Sequence, residues 1–425
     1  MIVETIILPA YALLFAASVV AGARAPRYGI CLLIALAPFA LYFDSGATTL
    51  TLSKVALVGM TAGLLIYRIP TRTFQTTTFW RLFAAGMLLI LTTAISIAQA
   101  QFAVPAIRET LKACEYLLLF TVIYAAHRVD PSPELLRVIT GATVAVVAVV
   151  ALFQEWHGAP SHLLVGSATV PRIAGTLEGP NQLAGYLGIA LPLLAALSVQ
   201  RFDRLTAGAL TVGSAALVLT FSRGGIVSTI VAVALVLILA QSNTRATLLT
   251  FVAGIVAGFA GVAAWALVMR TPAIFNFWTL ESTNPGGVGT HGELWHAAIA
   301  LWRRHPLFGI GAGNFEYALP SAGLPSVHTH ANSLYLQNLA EQGLAGLAAT
   351  LFLIWQSIAT FVRDLQASPF ALGALAASVG LALHQLVDLM IFYPKVGGWW
   401  WIVMALGAAA IAARKHARPG EAAAS

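Results

Sequence analysis

The sequence predicts an all-α, polytopic integral membrane protein with about 12–13 transmembrane helices and one long polar loop carrying surface helices. Three observations carry this. The chain is 59% hydrophobic and only 9% charged, whereas a soluble domain carries about 25% charged residues. Apolar runs close to the ~20 residues needed to cross a bilayer recur along nearly the whole chain. These runs are continuous, whereas the strands of a membrane barrel alternate apolar and polar residues.

Taken in order, apolar helices are expected near residues 5–22, 29–43, 51–67, 82–100, 113–126, 137–155, 182–199, 204–221, 224–240, 246–268, 331–362, 370–389 and 396–413. Segment 29–43 is short; if it folds back or merges with its neighbour, the count falls to 12. The start, MIVETIIL, has Glu4 and no basic residue before its apolar run, so that run is expected to stay as a helix and not to act as a signal peptide. Cys31 and Cys114 lie in or beside apolar segments without ligand spacing and read as small core residues.

The polar interruption at 270–330 holds His291, His296, His305, His328 and His330, with Arg270, Glu281, Glu293, Arg303, Arg304 and Glu316. Within it, residues 292–304 are expected to form a helix lying on the membrane surface through Trp295, Ile299 and Trp302. The expected organisation is N-terminal transmembrane helices over 1–155, a second transmembrane domain with the loop over 156–413, and a cytoplasmic tail over 414–425.

Orientation follows from Lys and Arg counts in alternate connections. One set holds fourteen, from Arg24 and Arg27 through Arg414, Lys415 and Arg418; the other holds nine, including Arg172, Arg223, Arg303 and Arg304. The richer set is expected to be cytoplasmic. The connections carrying Arg172, Arg223 and the long loop then share the opposite face. The net charge of +7 fits this rule and anionic lipid. No basic run with interleaved aromatics suggests nucleic acid.

Four polar motifs carry candidate chemistry. In PRIAGTLEGPNQLAGYLG, Arg172 precedes Asn181, which opens a helix. A helix N-terminus beside an arginine suits an anionic group such as a phosphate; the alternative is a capped helix start with an interfacial arginine. In Thr220-Phe221-Ser222-Arg223-Gly224-Gly225, an arginine sits between two apolar helices with almost no linker. A charge so placed needs an interior partner or a wet cavity, unless it is an interface anchor at a short turn. His328 and His330 precede the next span; a histidine there suits a general base, with interfacial polarity as the alternative, and H-x-H without a third ligand is a weak metal signal. His384 and Asp388 stand four apart in the penultimate span, a spacing at which side chains on one helix meet. They form a functional pair or a structural hydrogen-bonded lock. GIGAGNF lacks the preceding strand of a nucleotide loop.

From Arg172 to Asp388 the chain resembles the O-antigen ligase and polymerase superfamily. The residues carrying the resemblance are Arg172, Gly175, Pro180, Asn181 and Ala184; Ser222, Arg223 and Gly224; the run from His305 to Gly311; Leu336, Gln337, Glu341, Gly343 and Gly346; and His384 with Asp388. The resemblance implies an inverting, metal-independent glycosyltransferase of the bacterial inner membrane with its active face periplasmic and no cofactor. Its donor would be a glycan on undecaprenyl diphosphate, its acceptor a glycan or a lipid A-core sugar, in contact with membrane lipid. In that picture Arg172 and Arg223 hold the diphosphate and His330 deprotonates the acceptor. Asn181, His328, Asn332, His384, Asp388, His291 and Arg303 would support the site or the acceptor, with Asp388 orienting His330 or binding acceptor sugar. The chain departs from the ligase pattern at Asn332, where that pattern has a histidine, and before Trp295, where His291 stands nearest the usual arginine. The rival from another class is a transporter or flippase for a lipid-linked or polyanionic substrate, but such proteins place polar groups at the midplane between repeats.

Overall fold

A computed structural model describes residues 2–39, 42–44, 49–165, 168–268 and 291–417. Arg270 and Glu281 of the long loop, with residues 418–425 of the tail, lie outside them. The helices are α1 (Ile2–Arg24), α2 (Pro26–Leu36), α3 (Leu52–Tyr67), α4 (Thr77–Ser96), α5 (Ala103–Val129), α6 (Pro133–His157), α7 (Pro180–Gln200), α8 (Arg204–Leu219), α9 (Arg223–Leu239) and α10 (Thr244–Val268). After the loop come α11 (His291–Arg304), α12 (Phe315–Ala318), α13 (Leu334–Arg363), α14 (Pro369–His384) and α15 (Pro394–Ala417). Among the described residues, six helical stretches are long and apolar enough to cross a membrane, Pro180–Gln200 and Pro394–Lys415 included, and six shorter apolar helices accompany them. The chain is an all-α polytopic membrane protein. Its sheet is limited, among the described residues, to two short antiparallel hairpins, β1 (Tyr42–Asp44) with β2 (Thr49–Thr51) and β3 (Ser161–Val165) with β4 (Ala168–Arg172).

α7 and α15 are apolar all round, so they take the centre; 94% of the most apolar stretch of each is buried. Trp399, Trp400 and Trp401 are all enclosed, and the Trp400 indole donates to Ser378 Oγ at 3.0 Å.

Glycine contacts fix helix directions. A Cβ on Gly59 would meet Phe15 O at 2.7 Å and one on Gly63 would meet Val19 O at 2.3 Å, so α1 and α3 run parallel. The chain between them therefore returns along α1, and the Tyr11 hydroxyl donates to Leu50 O at 3.1 Å. α2 has only 11 residues, about 17 Å of helix, so the short segment supplies part of the return and extended chain the rest.

Glycine contacts also set helix directions in the second half. Gly188 abuts Thr229 and Gly225 abuts Ala184, so α7 and α9 are parallel; Gly373 abuts Leu193 and Gly380 lies near Gly188 O, so α14 is antiparallel to α7. The starts of α7 and α9 and the end of α14 share one end of the bundle.

Three expectations are corrected. The span 370–389 ends at His384, and residues 385–393 leave the helix. The span 331–362 is broken at Gly343, whose φ of 64° and ψ of −161° are not helical. The surface helix 292–304 forms, but it packs through Leu294, Ala297, Ala298 and Leu301, leaving Trp295, Ile299 and Trp302 half-buried.

Candidate functional site

Arg172 ends β4, paired with Ser161 across the hairpin. The loop that follows is clamped on both sides. The Gln154 side chain of α6 accepts from the amides of Ala174 (3.0 Å) and Gly175 (2.8 Å) and donates to Gly175 O at 2.8 Å. Lys395, at the start of α15, donates to Thr176 O at 3.1 Å and pairs with Glu178 at 3.0 Å. Held this way, the Arg172 guanidinium donates from Nε to Thr220 O at 2.8 Å and from Nη2 to Asn181 Oδ1 at 2.7 Å. The first bond satisfies an orphan carbonyl at the C-terminus of α8. Two of its five N–H donors are thus engaged.

Thr220 leads into Phe221, whose φ of 52° is left-handed, a conformation that costs a bulky residue about 1–2 kcal/mol. That turn reverses the chain tightly enough for Ser222 to cap α9, its Oγ accepting from Gly225 N at 3.4 Å. Arg223 is then the first residue of α9 and is exposed. A cation at a helix N-terminus opposes the helix dipole, and Arg172 and Arg223 repel each other.

A buried carboxylate lies beside Arg172. Asp388 is buried, accepts from the Asn181 side chain and from Leu389 N (2.8 Å), and attracts Arg172. Burial lowers the Arg172 guanidinium to about 10, with Asp388 acting against that fall and Arg223 adding to it. His384 Nε2 lies 3.9 Å from Asp388 Oδ2. The two meet through the turn after α14, since the helix stops at His384. The His384 ring fits against Gly225, where an added Cβ would sit 3.3 Å from its Cε1 and 2.6 Å from Ala184 Cβ. Two guanidiniums and the N-termini of α7 and α9 therefore lie together, with Asp388 buried beside Arg172. The arrangement suits an anion.

Burial also pushes the Asp388 carboxyl up to about 6. A carboxyl raised on folding contributes stability below its ordinary range and loses it as pH rises through the folded value. Asp388→Asn should therefore melt at least as high as the wild type at pH 7.5, by up to about 3 kcal/mol. The wild type's loss of stability between about pH 4 and 6 should flatten in the variant. Melting curves in detergent at pH 4.5 and 7.5 test this; a variant clearly less stable at pH 7.5 overturns it.

His330 forms a second cluster. Its ring centroid is 4.5 Å from that of Phe392 and 6.5 Å from that of Tyr393. Burial pushes the imidazole below its usual range; Glu316 and Glu109 act against this, and Lys112 adds to it. The next amide, Ala331 N, donates to Gln337 Oε1 at 2.8 Å, and Gln337 donates to the buried Glu341 at 2.7 Å. Asn332 has a φ of 48°, a left-handed position that asparagine tolerates better than most residues.

The segment 385–395 joins the clusters. Leu334 N, at the start of α13, donates to Gln385 O (3.0 Å) and Asp388 O (3.1 Å), and the Tyr393 side chain is hydrogen-bonded to Gln182, the neighbour of Asn181. The structure thus brings together Arg172, Asn181, Arg223, His384 and Asp388, with His330 in the adjoining cluster. Asp388 faces Asn181 and Arg172, and the charged groups around His330 are Glu316, Lys112 and Glu109. His328 is exposed. His291, exposed at the first turn of α11, feels the charge of Arg223. Arg303 is exposed in the last turn of α11, a favourable place for a cation. Among the described residues, no group of three or more His, Cys, Asp or Glu is placed to hold a metal ion.

The sequence reading missed Gln154, Lys112, Phe392 and Tyr393 as members of the site. Lys112 with Glu109, an i,i+3 pair beside an apolar helix, and the Phe-Tyr-Pro-Lys run before the last span were signals for some of them.

Residues 207–351 match the family model described as O-antigen ligase. That stretch contains Arg223, α11, His330 and the first part of α13. The match supports a place in the O-antigen ligase/polymerase superfamily and, with it, a membrane enzyme of glycan assembly. No curated protein matches the chain.

Proposed function

We propose, from the premise of the O-antigen ligase/polymerase superfamily, that this chain is an inverting glycosyltransferase of the bacterial inner membrane. It takes a glycan from undecaprenyl diphosphate at the periplasmic face and passes it to an acceptor sugar hydroxyl. The observation that carries the reading is that Arg172, Arg223 and the N-termini of α7 and α9 lie together at one end of the bundle, with the Arg172 guanidinium held by Thr220 O and Asn181.

Transfer breaks the bond between the anomeric carbon and the diphosphate oxygen and forms one to the acceptor oxygen, with inversion in a single displacement. Charge developing on the departing diphosphate is met by donors fixed before the reaction, so no reorganisation is needed as it grows. The acceptor proton passes to the His330 imidazole, which its burial keeps neutral near pH 7 and so able to accept it. Asn181 and Asp388 hold the Arg172 fork in place.

The test is purified protein in liposomes with a lipid-linked oligosaccharide and an acceptor saccharide, read for a new glycosidic product. His330→Ala should lower the rate by about 10²–10⁴-fold with donor binding retained. Near-wild-type transfer in that variant removes His330 as the base. Movement of the donor across the membrane with no glycosidic product would favour a transporter instead.

A further inference from the structure

We propose that Lys112 is a positioning residue for His330, acting through Phe392. The proposal rests on the reading of His330 as the proton acceptor, but its geometry stands alone.

Lys112 lies on α5, and its side chain is only 16% exposed. An ammonium has three donors and no acceptor, and here two of them make hydrogen bonds. Nζ donates to Glu109 Oε1 at 2.7 Å and to Phe392 O at 2.8 Å, and it sits 3.9 Å from the centroid of the Phe392 ring. The last contact is a cation–π pairing. Lys112 thereby fixes both the backbone and the ring of Phe392, the same ring against which His330 packs at 4.5 Å. That ring ends a single 3-10 turn, Met390–Phe392, in the segment between α14 and α15.

The charge of Lys112 reaches His330 as well. An imidazolium near a fixed ammonium is disfavoured, so Lys112 favours the neutral form that accepts a proton. The opposing charges are Glu109, paired to Lys112 itself, and Glu316 of α12. Because Lys112 neutralises Glu109, its removal acts twice: one cation goes and one carboxylate is released.

Two readouts test this. The first is the pH midpoint of His330 carbethoxylation by diethyl pyrocarbonate, followed by peptide mass spectrometry. The second is the acid limb of the transfer profile. In Lys112→Met the midpoint should rise by about half a pH unit or more. The acid limb should move with it, kcat should fall more than KM changes, and Lys112→Arg should restore part of both. Glu109→Gln should move the midpoint the other way, which keeps the idea testable if Lys112→Met fails to fold. A His330 midpoint unchanged in both Lys112→Met and Glu109→Gln overturns the proposal. If His330→Ala retains transfer, the base role falls, and the carbethoxylation midpoint still decides whether Lys112 governs His330.

Discussion

Replacing Arg172 with alanine should lower glycan transfer by at least about 10²–10³-fold while the protein still inserts and accumulates. Arg172 is the least replaceable member of the site because it does two things with one planar group. Its Nε and Nη2 are spent on Thr220 O and Asn181, which tie the end of α8 to the start of α7. The rest of the fork is oriented by those bonds before any ligand arrives. Lysine at this position keeps the charge but has no planar fork, so Arg172→Lys should recover only a small part of the rate. Arg223→Ala should weaken transfer as well. Arg223 is exposed and lies outside the Thr220–Asn181 clamp, so its loss should appear more in donor affinity. Losing the bond to the α8 carbonyl costs roughly 1.5–3 kcal/mol as a charge-assisted hydrogen bond, so melting temperature has to be measured beside activity. An Arg172→Ala protein that melts lower but transfers at the wild-type rate would reduce Arg172 to a helix cap and remove the diphosphate clamp.

That cluster was legible in the sequence because its members are charges where charges are costly. Arg172, Arg223, His384 and Asp388 stand out in a chain with 9% charged residues, and a membrane forces such groups inward toward one another. The helices were legible for the same reason. What the sequence hides is where an apolar helix stops. After His384 the residues Leu386, Val387, Leu389, Met390 and Ile391 continue the apolar run, and Pro394 is the first breaker. The stop comes from tertiary bonding: Leu334 N takes the carbonyls of Gln385 and Asp388, and Gln385 Oε1 accepts from Met390 N at 2.9 Å. The β3–β4 hairpin was hidden by its brevity: each strand has five residues. Lys112 and Phe392 lie 280 positions apart, and no local pattern joins them.

Gly343→Ala, at the break in α13, should cost about 3 kcal/mol or more and should take transfer down with it. The backbone at Gly343, φ 64° and ψ −161°, lies in a region open essentially to glycine alone. An added Cβ would also meet Leu307 C at 2.4 Å and Phe308 N at 2.6 Å, which are backbone atoms that cannot swing aside. The reason for the close approach is a lock. Where α13 breaks, the run from Pro306 to Gly311 supplies the missing partners: Leu344 N donates to Pro306 O, Ala345 N to Leu307 O, Ile310 N to Ala340 O and Gly311 N to Glu341 O, all at 2.8–3.1 Å. The glycine-rich run from Pro306 to Gly311 is the plug of a broken helix. Its loss spreads toward the site, because Glu341 also accepts from Phe315 N and from Gln337, which holds Ala331 beside His330. A misplacement of about 1 Å at a reacting group costs on the order of 10²-fold in rate, so Gly343→Ala should lose activity even where it still folds. Gly309→Ala, whose Cβ would sit 2.2 Å from Glu341 C, should reproduce the defect from the other side of the lock. Melting temperature and transfer rate measured on both variants settle the matter: wild-type values for either one would show that the loop does not hold the break.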